Sequence, residues 1–336
     1  MQNNIDFIIT WVDDNDSEWQ KEKEKYLVKD NTDNRDRRYR DWDNLKYWFR
    51  GVEKFAPWVK KVHFVTWGHF PEWLNLEHPK LNIVKHEEYI PKEFLPTFSN
   101  RPIELNLHRI PGLADKFVYF NDDMFILKPI KESDFFRNNF PCDTAVLNAL
   151  YFSRQQKTNI CFAAAVFNMC IINDHFNKNE SLIKNIHKWI NPRYGLQWIR
   201  TILLLPWDKF TGFMNYHLPY SYMKETFNKL WELEHSALSK TCSNKFRQND
   251  DINSWIFSYW QLASGKFYPR NPNIGKAYNL VSNHEQNKKI YSVISKQKYK
   301  LICLNDSVDD DSYVIIKEII NNSFQEILPE KSSFEK

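Results

Sequence analysis

Through the first 130 residues, short apolar runs alternate with longer stretches of helical spacing. That alternation restricts the fold more than any other feature. Ile5–Val12 is rich in β-forming residues and runs into the polar turn Asp13-Asp14-Asn15-Asp16. Val62–Thr66 and Leu81–Val84 read as two more short strands, and Phe117–Phe120 as a buried strand ending in Asn121-Asp122-Asp123. Between them Leu45, Trp48, Phe49, Val52 and Phe55 recur at helical spacing, with Asp43 as N-cap and Pro57 just past the end. Residues 18–40 read as a helix plus a mobile loop, with Asp30 to Arg40 almost wholly polar; residues 101–110 read as a helix. Strands separated by helices imply a largely parallel sheet with helices on its faces. Such sheets bind ligands beyond the carboxyl ends of their strands. Asp13, Thr66 and Asn121–Asp123 should therefore lie along one rim.

Further on, residues 181–264 read as mainly helical. Met223, Phe227, Leu230, Trp231 and Leu238 trace one face. Ile252, Trp255, Ile256, Tyr259, Trp260 and Ala263 trace another, bounded by Asn249/Asp250 and Gly265. Their period places these aromatic residues in a core rather than on a sugar-stacking platform. Leu301–Leu304, then Asn305-Asp306 and a helix around 314–327 form a closing βα unit. The expected organisation is one catalytic domain over 1–336. Residues 1–180 form its α/β core, 181–275 a mainly helical part, and 276–336 the unit that completes the core.

Composition removes several classes of function. The 336 residues carry a net charge of only +4, dispersed along the chain, which argues against a nucleic-acid partner. Seven glycines leave no glycine-rich phosphate loop. Five scattered cysteines without a CxxC pair imply a reduced, intracellular chain with no zinc site. Ile160–Ile172, the longest nearly apolar stretch, contains Asn168 and is too short to span a bilayer. No basic segment followed by a long apolar one opens the chain. The expected location is cytoplasmic, with peripheral attachment to the inner face of the plasma membrane left open.

Three constellations can carry chemistry. Asn121-Asp122-Asp123 at a strand end can hold Mg²⁺ or Mn²⁺ against a nucleotide diphosphate, or can simply form a turn. Arg247 precedes Asp250 and Asp251; it can clamp a phosphate through its planar fork, or the acids can merely cap the next helix. His217, in Tyr216-His217-Leu218-Pro219, is able to exchange a proton near neutral pH, although a lone histidine is more often structural.

Longer blocks resemble a known family. IDFIITWVD (5–13), RDWDNLKYWFRGVEKFAPWVKKVHFVTWGHFPEWL (40–74) with LPTFSNRPIELNLHRIPGLADKFVYFNDDMF (95–125), HLP (217–219) with KFRQNDD (245–251), and ICLNDS (302–307) with PEKSSFEK (329–336) are similar, in order, to the four blocks of the Stealth family. That family comprises bacterial capsular-polysaccharide sugar-1-phosphate transferases and the GlcNAc-1-phosphotransferase that tags lysosomal enzymes. The resemblance implies a glycosyltransferase A-like α/β fold with a mainly parallel sheet flanked by helices and a helical insertion. It places essential acids on Asp122 and Asp123, a glutamate on Glu104, a catalytic histidine on His217 and an essential arginine on Arg247. Asp13 and Gly68 would border a nucleotide-sugar pocket, and Arg109 and Lys116 match basic positions of the second block. Asn121 and Asn305 join the substrate contacts, and Asp306 joins Asp122 and Asp123 as a metal ligand. Trp67-Gly68-His69 stands where relatives commonly have Asn-Gly-Gln, and the long insertions of the lysosomal enzyme are missing. The chain therefore looks like a compact bacterial form.

The implied reaction takes a UDP-sugar donor and a glycan acceptor, with attachment to the polysaccharide assembly machinery left open. An acceptor hydroxyl attacks the phosphorus attached to the sugar, UMP leaves, and a phosphodiester forms. Either His217 or Asp123 is the base. Two other readings remain at this stage: a metal-dependent glycosyltransferase releasing UDP, and a noncatalytic sugar-binding module.

Overall fold

A computed structural model describes residues 4–27, 40–151 and 160–336. Its strands in chain order are β1 (Ile5–Thr10), β2 (Val62–Thr66), β3 (Leu81–Lys85), β4 (Lys116–Phe120), β5 (Met124–Ile126), β6 (Phe136–Arg137), β7 (Phe140–Asp143), β8 (Tyr220–Met223), β9 (Tyr268–Pro269), β10 (Gly275–Val281) and β11 (Leu301–Ser307). The main sheet has the order β3-β2-β1-β4-β8. Its first four strands are parallel and β8 runs antiparallel at the edge. The α/β class and mainly parallel sheet expected from the sequence are present.

Alternation across the pleat divides the core. Phe7, Ile9, Val118 and Phe120 point into one hydrophobic layer; Ile8, Phe117 and Tyr119 point into the other. Both faces of β1 are buried, which is why apolar residues occupy both rather than alternating; its one acid, Asp6, is buried and meets His63 Nε2 at 3.1 Å and Ala114 N–H at 2.9 Å. The first layer receives the helix Leu45–Phe55, whose Trp48 meets Phe120 edge-on at 5.4 Å, and the C-terminal helices His284–Ser295 and Asp310–Ile327. The second receives Lys224–Leu233 and Trp255–Ala263, where Phe227 stacks on Phe257.

A second sheet, β10-β11-β5, grows out of the end of β4. Cys303 pairs with Met124, and Leu304 N–H donates to Asp123 O at 2.9 Å. This ladder draws the C-terminal βα unit against the strand-end acids. Asn305 and Asp306, expected beyond the strand, lie within it, just before its last residue Ser307.

Several local expectations differ. Asp43 is not the N-cap: it has φ 51° and pairs with Lys317, while Asn44 takes the cap position. The helix expected over 101–110 is shorter, Asn100–Leu105 capped by Ser99, followed by a 3-10 turn at Leu107–Arg109. The stretch expected to be mainly helical includes β8, because Tyr220 and Tyr222 pair with the edge of β4 and the helix starts only at Lys224. Gly265 ends the helix Trp255–Ala263 with φ 72°, as its position implies, but Ser254 occupies the N-cap position instead of Asn249/Asp250. Of the polar run Asp30–Arg40, only Arg40 lies within the described residues; the rest of the expected loop falls outside them. Among the described residues no helix is long and apolar enough to cross a membrane.

Candidate active site

The strand order reverses between β1 and β4, the place where parallel sheets open a crevice. A cavity of about 570 Å³ sits there, lined by Thr10–Val12 beyond β1, Asn121–Asp123 beyond β4, and Leu304–Ser307 at the end of β11. Glu104, His217, Arg247 and Trp255 complete its walls.

Asp123 and His217 meet inside it. His217 Nε2 lies 3.9 Å from Asp123 Oδ2. That is too long for a direct hydrogen bond, yet one hydroxyl could contact both atoms. The loop carrying His217 is set by Asn215, whose Oδ1 accepts from the His217 backbone N–H at 2.8 Å and which holds His217 at φ 48°. Trp255 faces the imidazole edge-on at 6.5 Å. Burial alone would lower the His217 pKa; the facing Asp123 carboxylate, with Glu104 behind it, outweighs burial and raises it. His86, also in the cavity wall, shows the opposite case: burial drives it down to about 3, so it stays neutral.

Asp122 opens into the cavity. Desolvation by the cleft walls raises its pKa first, and the Asp123 and Asp41 charges add to this; Arg247 pulls the other way. Asp123 Oδ1 is buried with no hydrogen-bond partner among the described residues. An unused carboxylate oxygen next to a second carboxylate suits a hard divalent cation. Cys303 also approaches Asp123 and His217, with ligand atoms of all three within 4.8 Å of one another. Burial and the Asp123 charge hold its thiol well above the usual range, so it remains protonated and is a poor ligand. Asp306 is already engaged: Trp42 Nε1 donates to Oδ2 at 3.3 Å, Val308 N–H to Oδ1 at 2.8 Å, and Arg40 stands 3.6 Å away.

Arg247 comes from a loop tied down on both sides. Phe98 N–H donates to Lys245 O at 2.9 Å, and Phe246 stacks on Phe98 at 5.5 Å. Asp250 pairs with Lys240 at 2.6 Å, and Asp251 accepts from Gln248 N–H at 2.8 Å. Neither acid caps the helix or holds Arg247. Among the described residues its guanidinium has no carboxylate within 4 Å, although it lines the same cavity as Asp122.

Glu104 forms a fixed negative wall. It is buried, and it accepts from Tyr119 OH at 3.2 Å and from Asn100 and Ser254. With both oxygens accepting, it is placed to orient these neighbours. Asn305 lines the cavity and donates to Asn279 at 3.0 Å.

Four residues expected at the site do not line the cavity. Asp13 follows Val12 directly, but its carboxylate accepts from Asn15 N–H and its own N–H donates to His69 at 2.8 Å. Gly68 lies in the adjoining turn, its N–H on Thr66 Oγ1. Arg109 is exposed and covers Trp231, 4.9 Å from the ring centre. Lys116 begins β4, five residues before Asn121, so about 16 Å of strand separates it from the rim. Conversely, Arg40, Trp42, Arg101 and Ser254 were not foreseen; Trp255, assigned to the core by its spacing, is half-buried and faces the cleft. Helical period cannot distinguish a core stripe from one that continues into a cavity wall.

Comparison with known proteins places this architecture. The family descriptions Stealth protein CR1, CR2 and CR4 match residues 3–29, 38–143 and 292–336. His217 and Arg247 lie between the last two of these matches. The capsular polysaccharide phosphotransferase WcwK of Streptococcus pneumoniae is 45% identical, over 99% of this chain and 98% of that protein. The receptor polysaccharide phosphotransferase WefC of Streptococcus oralis is 40% identical over 99% of each. The exopolysaccharide phosphotransferase cps2G of Lactiplantibacillus plantarum is 38% identical over 99% and 96%. Among solved structures, the bifunctional glycosyltransferase WbbM is similar at 11% identity and TM-score 0.34, covering 97% of this chain and 51% of that one. The matched regions and the full-length likeness establish that this chain belongs to the Stealth family and is a transferase.

Proposed function

We propose that the protein transfers a sugar 1-phosphate from a UDP-sugar to a hydroxyl of a glycan acceptor during capsular or other surface-polysaccharide synthesis, releasing UMP. One observation carries this reading above the others: His217 and Asp123 flank a gap that fits one hydroxyl, in a cleft whose Arg247 has no carboxylate partner among the described residues. The relatives named polysaccharide phosphotransferases give it the reaction class.

The chain's residues divide the work. The acceptor hydroxyl sits between Asp123 Oδ2 and His217 Nε2, and the imidazole takes its proton. The acceptor oxygen bonds to the phosphorus that carries the sugar. The bond from that phosphorus to the bridging oxygen breaks, and UMP departs with the electron pair. The anomeric bond stays intact. Arg247 offers a planar fork to the pyrophosphate and meets the charge growing on the leaving phosphate. Asp122 and Asp123 would hold Mg²⁺ or Mn²⁺, which when bound would neutralise pyrophosphate charge. In this reading 1–180 and 276–336 enclose the donor, and 181–275 presents His217 and Arg247 to it.

The decisive experiment incubates purified protein with UDP-sugars and glycan acceptors, separates UMP from UDP, and records phosphorus NMR of the product. UMP in proportion to a diester product is expected. UDP in that proportion would instead indicate attack at the anomeric carbon.

A further inference from the structure

The surface outside the cleft is uneven. Residues 183–209 carry five Lys or Arg and one Asp, an excess of four that equals the formal excess of the whole chain. The same segment holds Leu196, Ile199, Ile202, Leu203, Leu205 and Trp207 exposed to solvent. Leu196 is 77% exposed, Leu203 67% and Trp207 53%. Leu196, Ile199 and Leu203 follow one another at three- and four-residue spacing from the end of the turn Pro192–Gln197 through the helix Trp198–Leu203, and Ile202 lies three residues after Ile199, so the four share one side. The other side is anchored: Thr201 is fully buried, and its hydroxyl oxygen accepts from Leu147 N–H at 3.1 Å. Lys184, Arg193, Arg200 and Lys209 of the same segment are exposed, Lys184 pairing with Glu180 at 3.2 Å, while Lys188 turns inward to Gly265 O.

We propose that this face docks on an anionic lipid surface. Exposed leucine, isoleucine and tryptophan bordered by cations suit the boundary between headgroups and acyl chains, where apolar groups enter and Lys and Arg remain at the phosphates. Charge decides against a second copy: a two-fold contact would press two faces of the same excess positive charge together. The face is also joined to the cleft. Leu147 bridges to Phe213, and Met214 N–H donates to Val146 O at 2.9 Å, three residues before His217. Docking there would hold the His217 wall close to the bilayer. The inference does not depend on which reaction the cleft performs, since lipid binding is read without turnover.

The test is co-sedimentation of the full chain with vesicles of phosphatidylcholine alone and of phosphatidylcholine with one third phosphatidylglycerol. The wild type should sediment with the anionic vesicles, less with the neutral ones, and less in high salt. L196D/L203D should lower anionic-vesicle binding by about tenfold or more with an unchanged melting temperature. K184E/R193E tests the charge separately and should abolish the preference for phosphatidylglycerol. Absence of wild-type binding, or binding by both variants at the wild-type level, would overturn the proposal. So would a dimer, seen by light scattering, that L196D/L203D dissolves while vesicles bind nothing.

Discussion

Asp123 Oδ2 and His217 Nε2 stand 3.9 Å apart, one at the end of a parallel strand and the other in the loop leading to the antiparallel edge strand. Because both would contact one acceptor hydroxyl, they should act as a unit. His217→Ala and Asp123→Asn are each expected to lower turnover by about 10²–10⁴. The double variant should be scarcely worse than either single one. Single-turnover kinetics on the three proteins checks this; additive losses would separate the two roles.

Arg247 has no ion-pair partner among the described residues, so its removal should spare the fold and harm the reaction. Arg247→Ala is expected to cost about 10²–10³ in turnover. Arg247→Lys keeps the charge but loses the bidentate fork and should not restore the rate. Melting temperature and turnover are measured side by side. A near-native rate in the folded Ala variant would remove Arg247 from the mechanism.

Glu104 makes the contrasting prediction. Tyr119, Asn100 and Ser254 all donate to its buried carboxylate. Glu104→Ala would leave these donors without their acceptor, at about 1–3 kcal/mol for each one left unsatisfied. Urea unfolding should therefore show a clear drop in stability, which Arg247→Ala does not share.

Removal of divalent ions with EDTA should reduce turnover by at least about tenfold if Asp122 and Asp123 hold a cation. Mg²⁺ or Mn²⁺ should restore it. Asp122→Asn should weaken Mn²⁺ binding measured by calorimetry, which distinguishes ligand loss from general damage. Full turnover in EDTA would leave these carboxylates to another role.

The C-terminus is fastened to the core by Arg50, whose Nε and Nη2 each lie 2.8 Å from a Glu335 oxygen in a buried pair. Desolvation opposes the Glu335 charge, but the hydrogen bonds from Arg50 and Ser332 prevail and lower its pKa below the ordinary 4.5. The folded state therefore gains stability from this group above pH 4.5 and loses it as pH falls through the lowered value. Glu335→Gln should cost about 1–3 kcal/mol at pH 7, because the guanidinium loses its charged partner but keeps Gln325 Oε1 and Leu328 O. It should also flatten this acidic limb in denaturant titrations between pH 3 and pH 6, a range of about three units around the ordinary carboxylate pKa.

The sequence alone determined the alternating strands, their apolar faces and the polar residues at their carboxyl ends. These follow from local periodicity and from turn-forming chemistry. Blocks of resembling sequence also singled out Asp122, Asp123, Glu104, His217 and Arg247, all of which line one cavity. Local pattern could not decide which neighbours share that cavity. Lys116 is at the wrong end of its strand, Arg109 folds over Trp231, and Asp13 serves its own turn, because strand direction and side-chain packing fix these places. β8 was hidden for a similar reason: Tyr220–Met223 becomes a strand by pairing with β4, a partner far away in the chain. The meeting of Asp123 with His217, the neutral Cys303 beside them and the place of Arg247 in the same cavity all depend on contacts across large sequence separations. Only the tertiary structure forms those contacts, and only there do burial and facing charge set the chemistry of each group.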